Sequence, residues 1–94
     1  MADSESGESA LALLEYPGRF PLKVFGKDDA EFESMVVDLV RARIPEAEHI
    51  EISRRHSKGG KYLALTLTFT VYTQRQLEEI YQDLYNCDKV VMSL

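Results

Sequence analysis

The stretch Tyr62-Leu63-Ala64-Leu65-Thr66-Leu67-Thr68-Phe69-Thr70-Val71-Tyr72 decides the fold. Leu63, Leu65, Leu67, Phe69 and Val71 alternate without a break with Ala64, Thr66, Thr68 and Thr70, and a period of two places each set on its own side of a β-strand, one buried and one open. Immediately before it stands Ser57-Lys58-Gly59-Gly60-Lys61, a turn sequence. It folds the strand back on the apolar-polar segment from His49 to Arg54, giving a central hairpin.

Outward from this hairpin the chain repeats one pattern. Phe20 to Gly26 reads as a first strand, with Phe20, Leu22 and Val24 on one face and Lys23 and Phe25 on the other. Asp28 then caps a helix running to about Arg43, with Glu31 reaching back as in a capping box. Phe32, Met35, Val36, Leu39 and Val40 form its apolar stripe, and Pro45 prevents continuation. After the hairpin, Thr73 and Gln76 open a second helix to about Asn86 with Leu77, Ile80, Tyr81 and Leu84 inward. Lys89 to Leu94 closes the chain as a strand in which Val90, Met92 and Leu94 are expected to face the core. The order βαββαβ, with right-handed crossovers, is that of the ferredoxin-like α+β sandwich: a four-stranded antiparallel sheet carrying two helices on one face. Strands one and three are then central.

The 94 residues suffice for one core, and the reading is a flexible tail over residues 1–10 followed by one ferredoxin-like domain over residues 11–94. Leu11, Leu13, Leu14 and Tyr16 are expected along an edge of the folded body. Cys87 is the only cysteine, so no disulfide forms within the chain. Its start lacks the pattern of a secretion signal, and no apolar run approaches the roughly 20 residues of a membrane helix. A cytoplasmic protein is the expectation, with no membrane association. A formal net charge of -5 argues against general affinity for nucleic acid.

Chemistry is sparse. One cysteine, far from the first strand, cannot hold an iron–sulfur cluster or a metal-chaperone site, and neither histidine has a second His or Cys at ligand spacing. The loop Gly26-Lys27-Asp28-Asp29 lacks the glycines and arginine of an acylphosphatase-type phosphate cradle. The sequence therefore suggests no catalytic residue, metal or cofactor, and the protein is read as a non-enzyme. Two surfaces remain. The open sheet face, with Lys23, Phe25, Thr66, Thr68, Thr70 and Val91, suits an interface because such a mixed surface tolerates both water and contact. The hairpin tip, with Arg54, Arg55, Lys58 and Lys61, places four of the 11 cations within eight residues while all 16 acids lie elsewhere. A basic tip on an acidic body suits an anion.

With these segments placed, the chain resembles the YbeD-like proteins, often labelled lipoate regulatory proteins, from about Leu11 to Leu94. The resemblance is carried by Leu13-Leu14-Glu15-Tyr16-Pro17 followed by Phe20, by Lys23-Val24 and Gly26, by Ser57 to Tyr62, and by Val90-Val91-Met92-Ser93-Leu94. It implies a ferredoxin-like fold close to the ACT-type regulatory domain, and a role in regulating lipoate or glycine-cleavage metabolism. It implies no catalytic or ligand residues. His56 and Lys58 stand where the family's turn often has Pro and Ser, which makes this hairpin more basic. The loop after the first strand also lacks the Pro-Gly pair common in ACT domains that bind amino acids. The reading that results is a non-enzymatic regulatory or adaptor domain acting through a protein partner or small effector, with a homodimer as one form of partnership. The alternative is RNA or anion binding through the basic hairpin, Arg54 to Lys61.

Overall fold

The computed structural model describes residues 11–94, so the tail expected over residues 1–10 lies outside the described residues. The deciding stretch is strand β3, Tyr62–Val71, and its alternation is realised residue by residue: Leu63, Leu65, Leu67, Phe69 and Val71 are buried, while Ala64, Thr66, Thr68 and Thr70 are half-buried on the other side. Before it come β1 (Gly18–Lys27), helix α1 (Phe32–Arg41) and β2 (Glu51–His56); after it come α2 (Gln74–Tyr85) and β4 (Val90–Ser93). The sheet is antiparallel in the order β2-β3-β1-β4, with both central strands ten residues long. This is the ferredoxin-like α+β fold.

One face of the sheet packs on both helices. Leu22 and Val24 of β1 lie opposite Leu67 and Leu65 of β3, and Phe32, Val36 and Val40 of α1 with Leu77, Ile80 and Leu84 of α2 close over them. Full burial of such a side chain stabilises by about 1.5–3 kcal/mol, so this one layer is the main source of stability. Met35, Leu39 and Tyr81 are half-buried at its margin, where the Tyr81 and Phe20 rings meet edge to face at 6.4 Å between centroids. Leu11 and Tyr16 pack against this core and are joined by a hydrogen bond from the Tyr16 hydroxyl to the Leu11 carbonyl. Leu13 instead points outward, 81% exposed.

Three local expectations are corrected. The α1 cap is Asp29, not Asp28: the Asp29 carboxylate accepts from the amides of Glu31 and Phe32, both at 3.0 Å. Asp28 is still engaged with the sheet, since its amide donates to the Lys61 carbonyl at 2.9 Å. Next, the edge strand begins at Glu51 rather than His49, which is exposed in the connection. Glu48 explains the delay, because its carboxylate accepts from the Thr70 amide at 3.0 Å and stands in for an edge-strand carbonyl. Pairing with β3 therefore starts at Glu51 opposite Thr68.

The third correction concerns β4. Gly26 pairs with Val90 but Phe25 pairs with Met92, so Val91 is an extra residue in a β-bulge. The inserted residue reverses the alternation beyond it. Val90 faces the helices and is half-buried; Met92, opposite Phe25, faces outward, as does Leu94, which exchanges backbone hydrogen bonds with Lys23. Both were expected in the core. Gly26 is required here by close approach, since a Cβ would lie 2.2 Å from the Phe32 ring and 2.5 Å from the Lys89 carbonyl oxygen. Among the described residues no helix is long and apolar enough to cross a membrane.

Candidate functional site

The strand registers define the open face as rows running across the sheet. Thr66 lies between Ser53 and Lys23, and Thr68 between Glu51 and Pro21; Thr70 lies opposite Arg19. One row nearer the hairpin, Ala64 lies between Arg55 and Phe25, with Met92 beyond. Thus Lys23, Phe25, Thr66, Thr68 and Thr70 share a face by register. Val91 joins them at the bulge, 66% exposed and lining a hollow with Phe25.

The two ends of this face differ in chemistry. At the Thr70 end, Arg19 reaches Glu48 at 3.6 Å and Glu51 at 3.5 Å and donates to the Thr68 carbonyl at 3.3 Å. The Thr70 amide, the Tyr72 hydroxyl and Arg19 all favour the charged form of Glu48 and hold its carboxyl below the usual range, and the same contact pushes the Tyr72 phenol up. This end is closed by its own polar groups. At the hairpin end, Phe25, Arg55, Tyr62, Ala64 and Val91 line a hollow of about 420 Å³, with His56, Ser57 and Leu63 at its border. Ala64 is the reason the hollow exists. Directly opposed residues in a sheet stand about 4.5–5.5 Å apart at Cβ, so a methyl between Phe25 and Arg55 leaves an unfilled space.

The basic tip does not hold together as one patch. Successive residues of β2 point to opposite faces, so Arg54, opposite Leu65, lies on the helix side and Arg55, opposite Ala64, on the open side. Arg54 forms two hydrogen bonds with the Glu33 carboxylate, at 2.5 and 2.6 Å, which hold that carboxyl below its usual range. His56, again on the helix side, contacts Asp28 at 2.5 Å. Lys58 and Lys61 are exposed in the turn, whose reversal uses Gly60 at φ 75°. Among the described residues, Arg55, Lys58 and Lys61 have no ion-pair partner. The pairing was legible in part: Ile52 faces inward, and parity alone assigns Arg54 and His56 to its side.

Beside the hairpin turn, Asp29 binds Lys89 at 3.2 Å as well as capping α1, which lowers its pKa and raises that of the lysine. The contact ties the loop after β1 to the start of β4. Cys87 is half-buried with its sulfur 3.5 Å from that of Met35. Among the described residues, no group of three or more His, Cys, Asp or Glu side chains is placed to hold a metal ion.

A family model described as protein of unknown function (DUF493) matches residues 12–94. The UPF0250 protein of Chromobacterium violaceum is similar at 39% identity, over 87% of this chain and 92% of its own length. The UPF0250 protein of Neisseria gonorrhoeae is also 39% identical, over 93% of this chain and 96% of its own. Among solved structures, protein HP0495 from H. pylori superposes with a TM-score of 0.71, covering 86% of this chain and 85% of that one. At 21% identity this last likeness is one of fold.

Proposed function

Since the chain belongs to the DUF493 family of proteins of unknown function, the same family as the YbeD-like proteins, we propose its role from its surface: a non-enzymatic regulatory or adaptor domain that binds a protein partner or small effector on the open sheet face. The observation that carries this reading is the apolar end of that face. Phe25 lies there beside Tyr62, Val91 and Met92, which are 48%, 66% and 45% exposed. Clustered apolar surface left in water marks contact sites more often than isolated exposed residues do. The threonine row extends the surface, and its half-buried hydroxyls serve at a polar rim. Regulation of lipoate or glycine-cleavage metabolism, in the cytoplasm, is the setting supported by the resemblance to lipoate regulatory proteins.

Capture by the immobilised full chain from native cytoplasm, followed by titration of the identified partner in purified form, tests this role. Val91→Asp and Thr68→Lys should each weaken binding by about tenfold or more without unfolding the protein. The pair Lys58→Ser with Lys61→Ser should leave it unchanged. The opposite pattern, with affinity falling steeply in added salt, would replace the open face by the basic hairpin and support RNA or anion binding.

A further inference from the structure

We infer that the hollow floored by Ala64 and rimmed by Arg55 takes a small monoanion with a flat apolar body, of which an aromatic carboxylate is the simplest form. The inference rests on the open face being the binding surface, and it names the chemistry of the effector bound there. The row Arg55, Ala64, Phe25 and Met92 runs straight across β2, β3, β1 and β4, so a cation, a gap, a ring and a thioether follow one another along a line. Tyr62 and Val91 complete the walls. A hollow of about 420 Å³ falls within the size range of small-molecule sites.

Charge selects the class of ligand. Arg54 and His56, on either side of Arg55 in sequence, are engaged with Glu33 and Asp28 on the helix side. Arg55 alone of the three projects over the open face, has no ion-pair partner among the described residues, and meets no carboxylate among the residues lining the hollow. A second hollow of about 370 Å³ lies against the same arginine and brings Lys23 near it. A planar guanidinium is weakly hydrated, binds carboxylate in a two-pronged manner and stacks on flat rings. An apolar molecule without a charge would cover the guanidinium and leave it unpaired, and a cation would be repelled. The net charge of -5 gives no long-range attraction for an anion, so selectivity arises at contact with Arg55.

The test is a nuclear magnetic resonance titration of the full chain with 2-naphthoate, with the uncharged 2-naphthalenemethanol and acetate as comparisons. Naphthoate should shift the amides of Phe25, Ala64 and Val91 and bind about tenfold more tightly than the alcohol, with acetate weaker still. Arg55→Gln should reduce naphthoate to the level of the alcohol, whereas Arg54→Gln should not. Ala64→Leu, which fills the hollow from the half-buried open face of the strand, should remove both. Equal affinity for naphthoate and alcohol, indifference to Arg55→Gln, or shifts confined to Lys58–Lys61 would overturn the inference. If naphthoate fails to bind while Val91→Asp still abolishes partner capture, this inference falls and the open-face role stands. Naphthoate binding with partner capture indifferent to Val91→Asp supports the inference and removes the partner reading.

Discussion

The two edges of the sheet, β2 and β4, are finished in opposite ways. β2 is six residues long and carries Glu51, Arg54, Arg55 and His56; Glu51 reaches Arg19, Arg54 reaches Glu33, and His56 reaches Asp28. β4 is four residues long and uncharged, with Val91 and Met92 exposed and Leu94 just beyond it 58% exposed. An edge strand offers unpaired backbone to any passing strand, and charged side chains are a common guard against such pairing. One edge here is guarded and the other is kept only short. The apolar end of the open face adjoins the unguarded edge, which is where contact with another molecule costs least in desolvation.

Breaking the support common to both edges should have the largest effect. Leu67, fully buried on the central strand, faces the helices, and Leu67→Ala should lower unfolding free energy by about 2–5 kcal/mol in denaturant titration. Thr66→Ala, the adjacent residue on the open face, should cost about 1 kcal/mol or less. Equal losses would mean that the sheet is covered on both sides. Next in size is Gly26→Ala, which forces a methyl against Phe32 and the Lys89 backbone and should cost about 1–3 kcal/mol. It should also raise hydrogen exchange at Met92 and Leu94 while leaving β2 protected, because only β4 is anchored at that bulge. Uniform exchange along both edges would erase the distinction.

The smallest effect sharpens the comparison at the other edge. Arg54→Ala removes the partner that holds the Glu33 carboxyl below its ordinary range. A carboxyl with a depressed folded-state pKa stabilises above its unfolded pKa, and that contribution is lost as pH falls through the folded value. The stability difference between wild type and Arg54→Ala should therefore be present at neutral pH and be lost in acid, as pH falls through the depressed folded-state value of Glu33. A difference that persists in acid would assign Arg54 to packing rather than to its ion pair.

The helices and central strands were legible because each repeats a period over enough residues to define a face: Phe32, Val36 and Val40 along α1, and Leu63 to Val71 along β3. Short elements gave less. Val90-Val91-Met92-Ser93 alternates too briefly to reveal an inserted residue, and the bulge that turns Met92 outward lies where Gly26 meets Phe32 and Lys89, the latter distant in sequence. The candidate surfaces were similarly divided. The open-face residues follow from parity, but the four clustered cations divide between two sides of the hairpin, and sequence spacing carries no information on which carboxylate each will meet.

Sequence alone determined the sheet, its buried face and the order of its elements, since hydrophobic periodicity and turn residues act over neighbouring positions. Tertiary structure decided the rest. It paired Arg54 with Glu33 and left Arg55 facing the open side, set Ala64 between Phe25 and Arg55 to make a hollow, and reversed β4 through one extra residue. Each of these depends on the registration of one strand against another, and a shift of one residue exchanges the two faces. That registration is fixed only when the whole core is packed.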